Sequence, residues 1–318
     1  MKKKYINGNY LVSFDDYYNT RIYTALRRNE DFIPNFPDSI DLKITNKCSN
    51  NCIFCHEKSN EKGDSFNLEK TITILDNLPP YIEVAIGGGN ILECYDDFIK
   101  LCEYLHNRDM FPRVTINHRD LKTFLKLLED VNPNTISNLA IGVSIESFED
   151  YLKSISALES SCYGLFGRNI VFHIIVGIFP YKDLDTLIKN INSKLSRIKL
   201  LVLGFKQFGR AINLKIKDLD NWRNTVSKLF NNKRKQIDSI DSIIGFDNLA
   251  IDQLLIKDLL LKSEWNSYFI GQDFSHTMYI DAVREEFAPT SRSPYENRCS
   301  WNSVNIIDYF KKNRKSWN

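Results

Sequence analysis

The chain is poor in cysteine, and its few are odd in number, seven in 318 residues. A sparse, odd set without a secretory signal excludes the disulfide framework that staples small secreted domains. Long apolar runs are missing as well, and no stretch approaches the ~18 apolar residues of a membrane-spanning helix. The opening Met1-Lys-Lys-Lys has the charge of a signal-peptide start, but Tyr5-Ile-Asn-Gly-Asn-Tyr10 supplies no apolar core for one. Charge of one sign is scarce. A formal net charge of +2 argues neither for nor against nucleic acid. The basic runs Asn231-Asn-Lys-Arg-Lys-Gln236 and Lys311-Lys-Asn-Arg-Lys315 read as solvated helix ends or tails. The composition, 43% hydrophobic and 26% charged, is that of an ordinary globular chain. No membrane partner is expected, and there is no positive sign of a nucleic-acid one.

What is present is one dense motif, Cys48-Ser-Asn-Asn-Cys52-Ile-Phe-Cys55. Three thiols on one short loop can converge on an iron-sulfur cluster, and three ligands leave one iron of a four-iron cluster open to an exogenous group. A purely electron-transferring cluster takes four cysteines. The spacing alone admits two other readings, coincidence and a zinc site completed by His56. Zinc sites, however, more often pair two knuckles, and no second one follows.

Around the motif runs a β-then-α rhythm. Strands are expected at Ile40 to Thr45, Ile82 to Ile86, Arg113 to Asn117, Leu139 to Ile145, Ile170 to Val176 and Lys199 to Phe205. Amphipathic helices are expected at Leu68 to Asn77, Tyr95 to Asn107, Leu121 to Val131, Phe148 to Glu159 and Leu184 to Leu195. Short apolar strands alternating with crossover helices imply a parallel sheet curved into part of a (β/α) barrel. Function in such folds collects on the loops after the strands. The cysteine loop follows the first of them.

CxxxCxxC with an aromatic, Phe54, before the last cysteine, set directly after a strand, resembles the radical S-adenosylmethionine superfamily. The resemblance covers residues 38–212 and implies an α/β fold, a partial (β/α)6 TIM-like barrel. It implies a [4Fe-4S] cluster held by Cys48, Cys52 and Cys55, with S-adenosyl-L-methionine chelating the open iron. One electron then cleaves the sulfonium reductively, and a 5′-deoxyadenosyl radical abstracts hydrogen from substrate. An electron donor such as flavodoxin or ferredoxin is implied, as is oxygen sensitivity. The reduced thiols point to the cytoplasm.

By the same resemblance, Gly87-Gly88-Gly89-Asn90 after the second strand is similar to the glycine-rich motif that holds the methionine amino group. Glycine lets backbone approach a ligand. Asn90 stands where an acidic residue is common and supplies an acceptor without charge. Ser144 and Glu146 end the fourth strand, where ribose hydroxyls are bound; for Glu146, capping the next helix is an equal alternative. Ile174 or Val176 on the fifth strand would flank adenine. Lys206 and Gln207 after the sixth would bind a carboxylate or an adenine edge, or simply face solvent. Asn117 and His118 end the third strand as candidate substrate contacts, although a lone histidine such as His118 is more often a helix-entry residue.

Flanking the barrel, residues 1–37 read as a β-hairpin element turned at Asn7-Gly8, with strands at Tyr10 to Phe14 and Arg21 to Ala25. Residues 213–318 read as an α+β extension packed on the barrel. Its expected helices are Asp218 to Phe230, Ala250 to Lys262 and a short one after Trp301; its strands are Asp241 to Phe246 and Thr277 to Asp281. Ala288-Pro-Thr-Ser-Arg-Ser-Pro294 is a polar turn. Cys94, Cys102, Cys162 and Cys299 are too scattered for a second cluster. Cys299, in a polar stretch, is a candidate hydrogen-atom donor of the kind some epimerases of the superfamily use. Four functions follow in order: a maturase or epimerase of ribosomal peptides, a small-molecule or nucleotide enzyme, a glycyl-radical activase, and a non-enzymatic iron-sulfur or zinc module.

Overall fold

A computed structural model describes residues 2–15, 20–27, 30–161, 170–193, 198–234 and 244–316. Cys162, residues 241–243 of an expected strand and the end of the 231–236 basic run lie outside the described residues. The chain begins β1 (Lys2–Asn7), β2 (Tyr10–Asp15), β3 (Thr20–Ala25), β4 (Ser39–Thr45), α1 (Leu68–Leu75), β5 (Glu83–Gly88), α2 (Tyr95–Asn107) and β6 (Phe111–Asn117). It continues with α3 (Leu121–Leu128), β7 (Ala140–Ser144), α4 (Phe148–Ser160), β8 (Ile170–Ile175), α5 (Leu184–Ser193), β9 (Ile198–Leu203), α6 (Leu219–Arg234) and β10 (Ile244–Phe246). The last elements are α7 (Asn248–Leu254), α8 (Ile256–Leu259), α9 (Lys262–Tyr268), β11 (Thr277–Asp281), β12 (Glu286–Ala288), β13 (Cys299–Ser300) and α10 (Ile306–Asn313).

The chain divides into two compact units, residues 1–114, 131–139 and 270–318 in the first and 115–130 and 140–269 in the second. In the first, β4 pairs in parallel with β5 and β11, and β5 with β6. An antiparallel β12 and β13 continue outward from β11. In the second, β7, β8, β9 and β10 pair in parallel order. This is the α/β class of open parallel sheet that the strand rhythm predicts. Residues 213–318 do not stand as one extension. Their β10 lengthens the second unit's sheet beside β9, while β11 lengthens the first unit's sheet beside β4.

Periodicity explains the elements. Helix α2 buries Phe98, Leu101, Cys102 and Leu105, and α3 buries Leu121, Phe124, Leu125 and Leu128, one helical face each. Ser147 caps α4, its hydroxyl accepting from the Asp150 amide. The helix expected over Ala250 to Lys262 is instead broken at Leu255, which takes φ +55°. Leu254 and Ile256 are both buried. A continuous helix would set these two about 200° apart, so the left-handed residue brings both inside.

The N-terminal hairpin turns where Asn7-Gly8 predicts, Asn7 pairing with Tyr10. Its inner face is fixed by one buried carboxylate. Asp38 accepts from the Tyr10 hydroxyl at 2.5 Å, Asn7 Nδ2 at 2.9 Å and the Tyr5 hydroxyl at 3.0 Å. Burial raises the Asp38 pKa, and those three donors oppose the shift.

Candidate cofactor site

Alternation along β4 decides what the site is made of. Ile40, Leu42 and Ile44 are buried apolar residues on one face; Asp41, Lys43 and Thr45 occupy the other. Strand register places Asp281, Lys43 and Gly87 in one row across β11, β4 and β5. Thr45 then ends β4, and the cysteine loop begins.

That loop is closed by its own backbone. The amide of Cys48 donates to Asn60 O at 2.9 Å and that of Asn60 to Asn46 O at 3.0 Å. Within it, Cys55 N donates to Cys52 O at 3.2 Å, a turn that Asn51 enters with φ +49°. Cys48 is buried, Cys52 and Cys55 are partly exposed, and all three are thiols. Phe54 between them is partly buried. Among the described residues no group of three or more Cys, His, Asp or Glu side chains is arranged to hold a single metal ion. A four-iron cluster asks for a different arrangement, one thiolate on each of several irons. Three thiols on one turn are the donor set it requires.

The glycine turn after β5 is docked on this loop. Gly89 N donates to Thr45 O at 2.6 Å and Asn90 N to Lys47 O at 2.8 Å, and Lys47 pairs with Glu93 at 3.3 Å. A Cβ on Gly88 would lie 2.4 Å from Thr45 O, and one on Gly89 2.2 Å from Lys47 O. Those two glycines therefore serve loop-to-loop contact. Gly87 differs: nothing lies within 4 Å of where its Cβ would be. Of the three, it alone leaves space for a ligand. The Asn90 side chain is spent on the chain itself, since its Oδ1 accepts from Leu92 N at 3.1 Å and caps the following turn. Cys94 lies in that same turn, and burial pushes its thiol up to about 11.

Beneath the loop lies a set of buried charges that sequence reasoning missed. Lys43 Nζ is 2.7 Å from Glu57 Oε2 and 3.0 Å from Asp281 Oδ2, and Arg298 Nη1 is 3.1 Å from the same Asp281 oxygen. Side-chain exposures are 2% for Lys43, 7% for Glu57, 0% for Asp281 and 4% for Arg298. Tyr279 donates to the other Glu57 oxygen at 3.1 Å. The only sequence signal was a lysine in the strand that leads into the cysteine loop.

In the second unit the expected residues fare unevenly. Ser144 ends β7, its carbonyl accepting from His118 N at 3.0 Å. Glu146 does not cap α4, because Ser147 does; its carboxylate pairs with Arg119 at 2.9 Å. His118 Nδ1 faces Asp150 Oδ1 at 3.4 Å, while its Nε2 is buried without a hydrogen bond. Burial lowers its pKa, opposed by Asp150. Asn117 closes a turn, accepting from Arg119 N at 3.0 Å.

Two expectations need correction. Ile174 and Val176 are fully buried and share a face with Phe172, whose ring packs 4.9 Å from Tyr151 of α4. They belong to the helix-covered face. His173 and Ile175 occupy the opposite face, His173 in register with Ser144 and its ring over Gly142. Burial pushes that imidazole down to about 4.

Cys299 is the second correction. It pairs with Phe287, which packs 5.5 Å from Tyr309 of α10. Its Sγ lies 3.3 Å from Ser303 Oγ. Arg298, one residue earlier, points to the charged face, so Cys299 points away from it. Gln207 is exposed and donates to Leu214 O at 2.8 Å within its own loop, and Lys206 beside it is half-buried.

The match to a family model falls on the stretch that holds the cysteine loop and the glycine turn. Residues 42–161 match the model of the Radical SAM superfamily. An uncharacterized protein of Methanocaldococcus jannaschii is 30% identical over 112 residues, 34% of this chain and 38% of that protein. The crystal structure of Streptococcus suis SuiB bound to S-adenosylmethionine is similar with a TM-score of 0.62 at 14% identity, over 88% of this chain and 66% of that one. SuiB bound to the precursor peptide SuiA gives 0.64 at 13%, over 88% and 65%. The chain thus spans about two fifths of the curated relative and two thirds of these SuiB chains. At such identities the likeness to SuiB is one of fold. The cysteine loop and the glycine turn both fall within residues 42–161, the stretch that matches the model of the Radical SAM superfamily.

Proposed function

We propose that this chain is a radical SAM enzyme, with Cys48, Cys52 and Cys55 holding a [4Fe-4S] cluster and a peptide as substrate. The observation that carries the reading is the docking of the glycine turn on the cysteine loop, Gly89 N on Thr45 O and Asn90 N on Lys47 O. It joins the turn that holds an open backbone position, Gly87, to the loop that bears three thiols. Such a cradle fits a small zwitterionic ligand whose approach a Cβ would block. When bound, cluster and S-adenosylmethionine supply reductive cleavage of the sulfonium and hydrogen abstraction from substrate.

The chain's own residues hold and orient. Thr45 and Lys47 carbonyls fix the glycine turn, and the Asn90 side chain rigidifies it rather than meeting a ligand. Within the second unit, Ser144 ends β7 and Ile175 lies on the face of β8 opposite Ile174 and Val176. An electron donor such as flavodoxin or ferredoxin and a reducing compartment, the cytoplasm, complete the proposal. A peptide substrate is favoured by the fold shared with a protein solved with its precursor peptide. Epimerisation through Cys299 is not part of the reading.

The test is anaerobic. Reconstituted protein reduced with dithionite should release 5′-deoxyadenosine from S-adenosylmethionine, and Cys52→Ala should not. Colourless protein loaded with zinc, or equal release by the variant, refutes the reading. If cleavage occurs but a candidate peptide encoded beside this chain gains no mass change, while a small metabolite does, the substrate is a small molecule instead.

A further inference from the structure

Four charges buried together need a reason. Burying an ion is costly, and replacing a buried pair by apolar residues often stabilises a protein. Stability is therefore a poor explanation for Lys43, Glu57, Asp281 and Arg298. Their connectivity suggests another. Glu57 is the second residue past Cys55, and both its oxygens are held, Oε2 by Lys43 at 2.7 Å and Oε1 by the Tyr279 hydroxyl at 3.1 Å. Lys43 is held in turn by Asp281, whose Oδ2 also takes Arg298 and whose Oδ1 accepts from Arg284 N at 3.2 Å. The backbone repeats the link, Ala282 N donating to Lys43 O at 3.0 Å. Lys43 lies in register with Gly87, and its Cγ would lie 3.2 Å from a Cβ on Gly88.

We propose that Lys43, Glu57, Tyr279, Asp281 and Arg298 are positioning residues for the iron-sulfur loop. Strand β11 is the strut: it reaches the turn after Cys55 through Lys43 and Glu57 and fixes that turn's direction. Its charges, in a low-dielectric setting beside the cluster, also set the field in which the cluster is reduced. This gives residues 277–298 a part in the cofactor site, although they lie outside the stretch that matches the family model.

The inference rests on the radical SAM reading, and the experiment separates the two. Parent, Lys43→Met/Glu57→Gln and Tyr279→Phe are reconstituted anaerobically. Each is measured for iron content, for the EPR spectrum of the reduced cluster with and without S-adenosylmethionine, and for midpoint potential. The double variant removes a whole ion pair and leaves the Asp281 and Arg298 pair balanced, so no buried charge is stranded. Its melting should stay near the parent's. Its EPR spectrum and potential should change, and S-adenosylmethionine cleavage should fall ~10–100-fold, as for losses of groups that orient metal ligands.

Tyr279→Phe keeps every charge and should shift the same signals less. Should the double variant fail to fold, Tyr279→Phe decides. Iron-loaded variants whose EPR spectra and potentials equal the parent's overturn the inference alone. A parent that takes up no iron refutes the radical SAM reading itself.

Discussion

Gly87 and Gly89 are two residues apart in one turn, and the structure gives them opposite sensitivities. An alanine at 89 would place its Cβ 2.2 Å from Lys47 O and 2.8 Å from Lys47 C, both backbone atoms that cannot swing aside. The turn must then lift from the cysteine loop, stretching Gly89 N to Thr45 O and Asn90 N to Lys47 O, now 2.6 and 2.8 Å. Overpacking costs about 1–3 kcal/mol and each lost hydrogen bond about 1 kcal/mol. A destabilisation of about 3 kcal/mol follows, which lowers the melting midpoint by roughly 6–12 °C at about 2–4 °C per kcal/mol. Gly87→Ala meets nothing within 4 Å and should stay within about 0.5 kcal/mol of the parent, yet it fills the proposed cradle. Urea unfolding of the apo chain and S-adenosylmethionine binding to the iron-loaded chain measure the two effects apart. Gly89→Ala as stable as the parent, or Gly87→Ala destabilised to the same degree, refutes the division of labour.

Three further outcomes are expected. Burial lowers His173 to about 4 and His276 to about 3, so each is neutral when folded and takes up a proton on unfolding below its ordinary pKa of about 6.5. Their contribution to stability is complete above about pH 6.5 and is lost as pH falls toward 4, about 2 kcal/mol per histidine by pH 5; urea midpoints that do not fall between pH 7.5 and 5 contradict this. Tyr10→Phe removes the 2.5 Å hydrogen bond to Asp38 and should cost about 1–3 kcal/mol in thermal unfolding, because the carboxylate stays buried. Cys299→Ala should leave 5′-deoxyadenosine formation and peptide product unchanged, since its Sγ faces the α10 side; loss of product with continued cofactor cleavage would restore the hydrogen-donor role.

Much of the fold is written in local pattern. Strand β11 runs over Thr277–Asp281 and α2 over Tyr95–Asn107, the spans the periodicity predicts. The cysteine loop was legible because its chemistry is concentrated in eight consecutive residues. What was not legible depends on which face a residue takes or on what lies far away in sequence. A buried parallel strand is apolar on both sides, so nothing in Phe172-His-Ile-Ile-Val-Gly177 says that Ile175 rather than Ile174 faces away from α4. The face of Cys299 is set by its pairing with Phe287, a register that a polar stretch does not announce. The need for glycine at 88 and 89 comes from a second loop's carbonyls, and Lys43 meets Asp281 across 238 positions. Asn90 was expected to meet a ligand; its cap on Leu92 is local but competes for the same oxygen.

The central claim is that three cysteines on one turn leave an iron open for S-adenosylmethionine. The most direct measurement is EPR of the anaerobically reconstituted, reduced protein with and without S-adenosylmethionine, on chain carrying four irons. The account predicts a [4Fe-4S]+ signal whose g values move when S-adenosylmethionine is added, and no such signal from Cys48→Ala, Cys52→Ala or Cys55→Ala. A cluster signal that S-adenosylmethionine leaves unmoved, or one that survives loss of any of the three thiols, would contradict it.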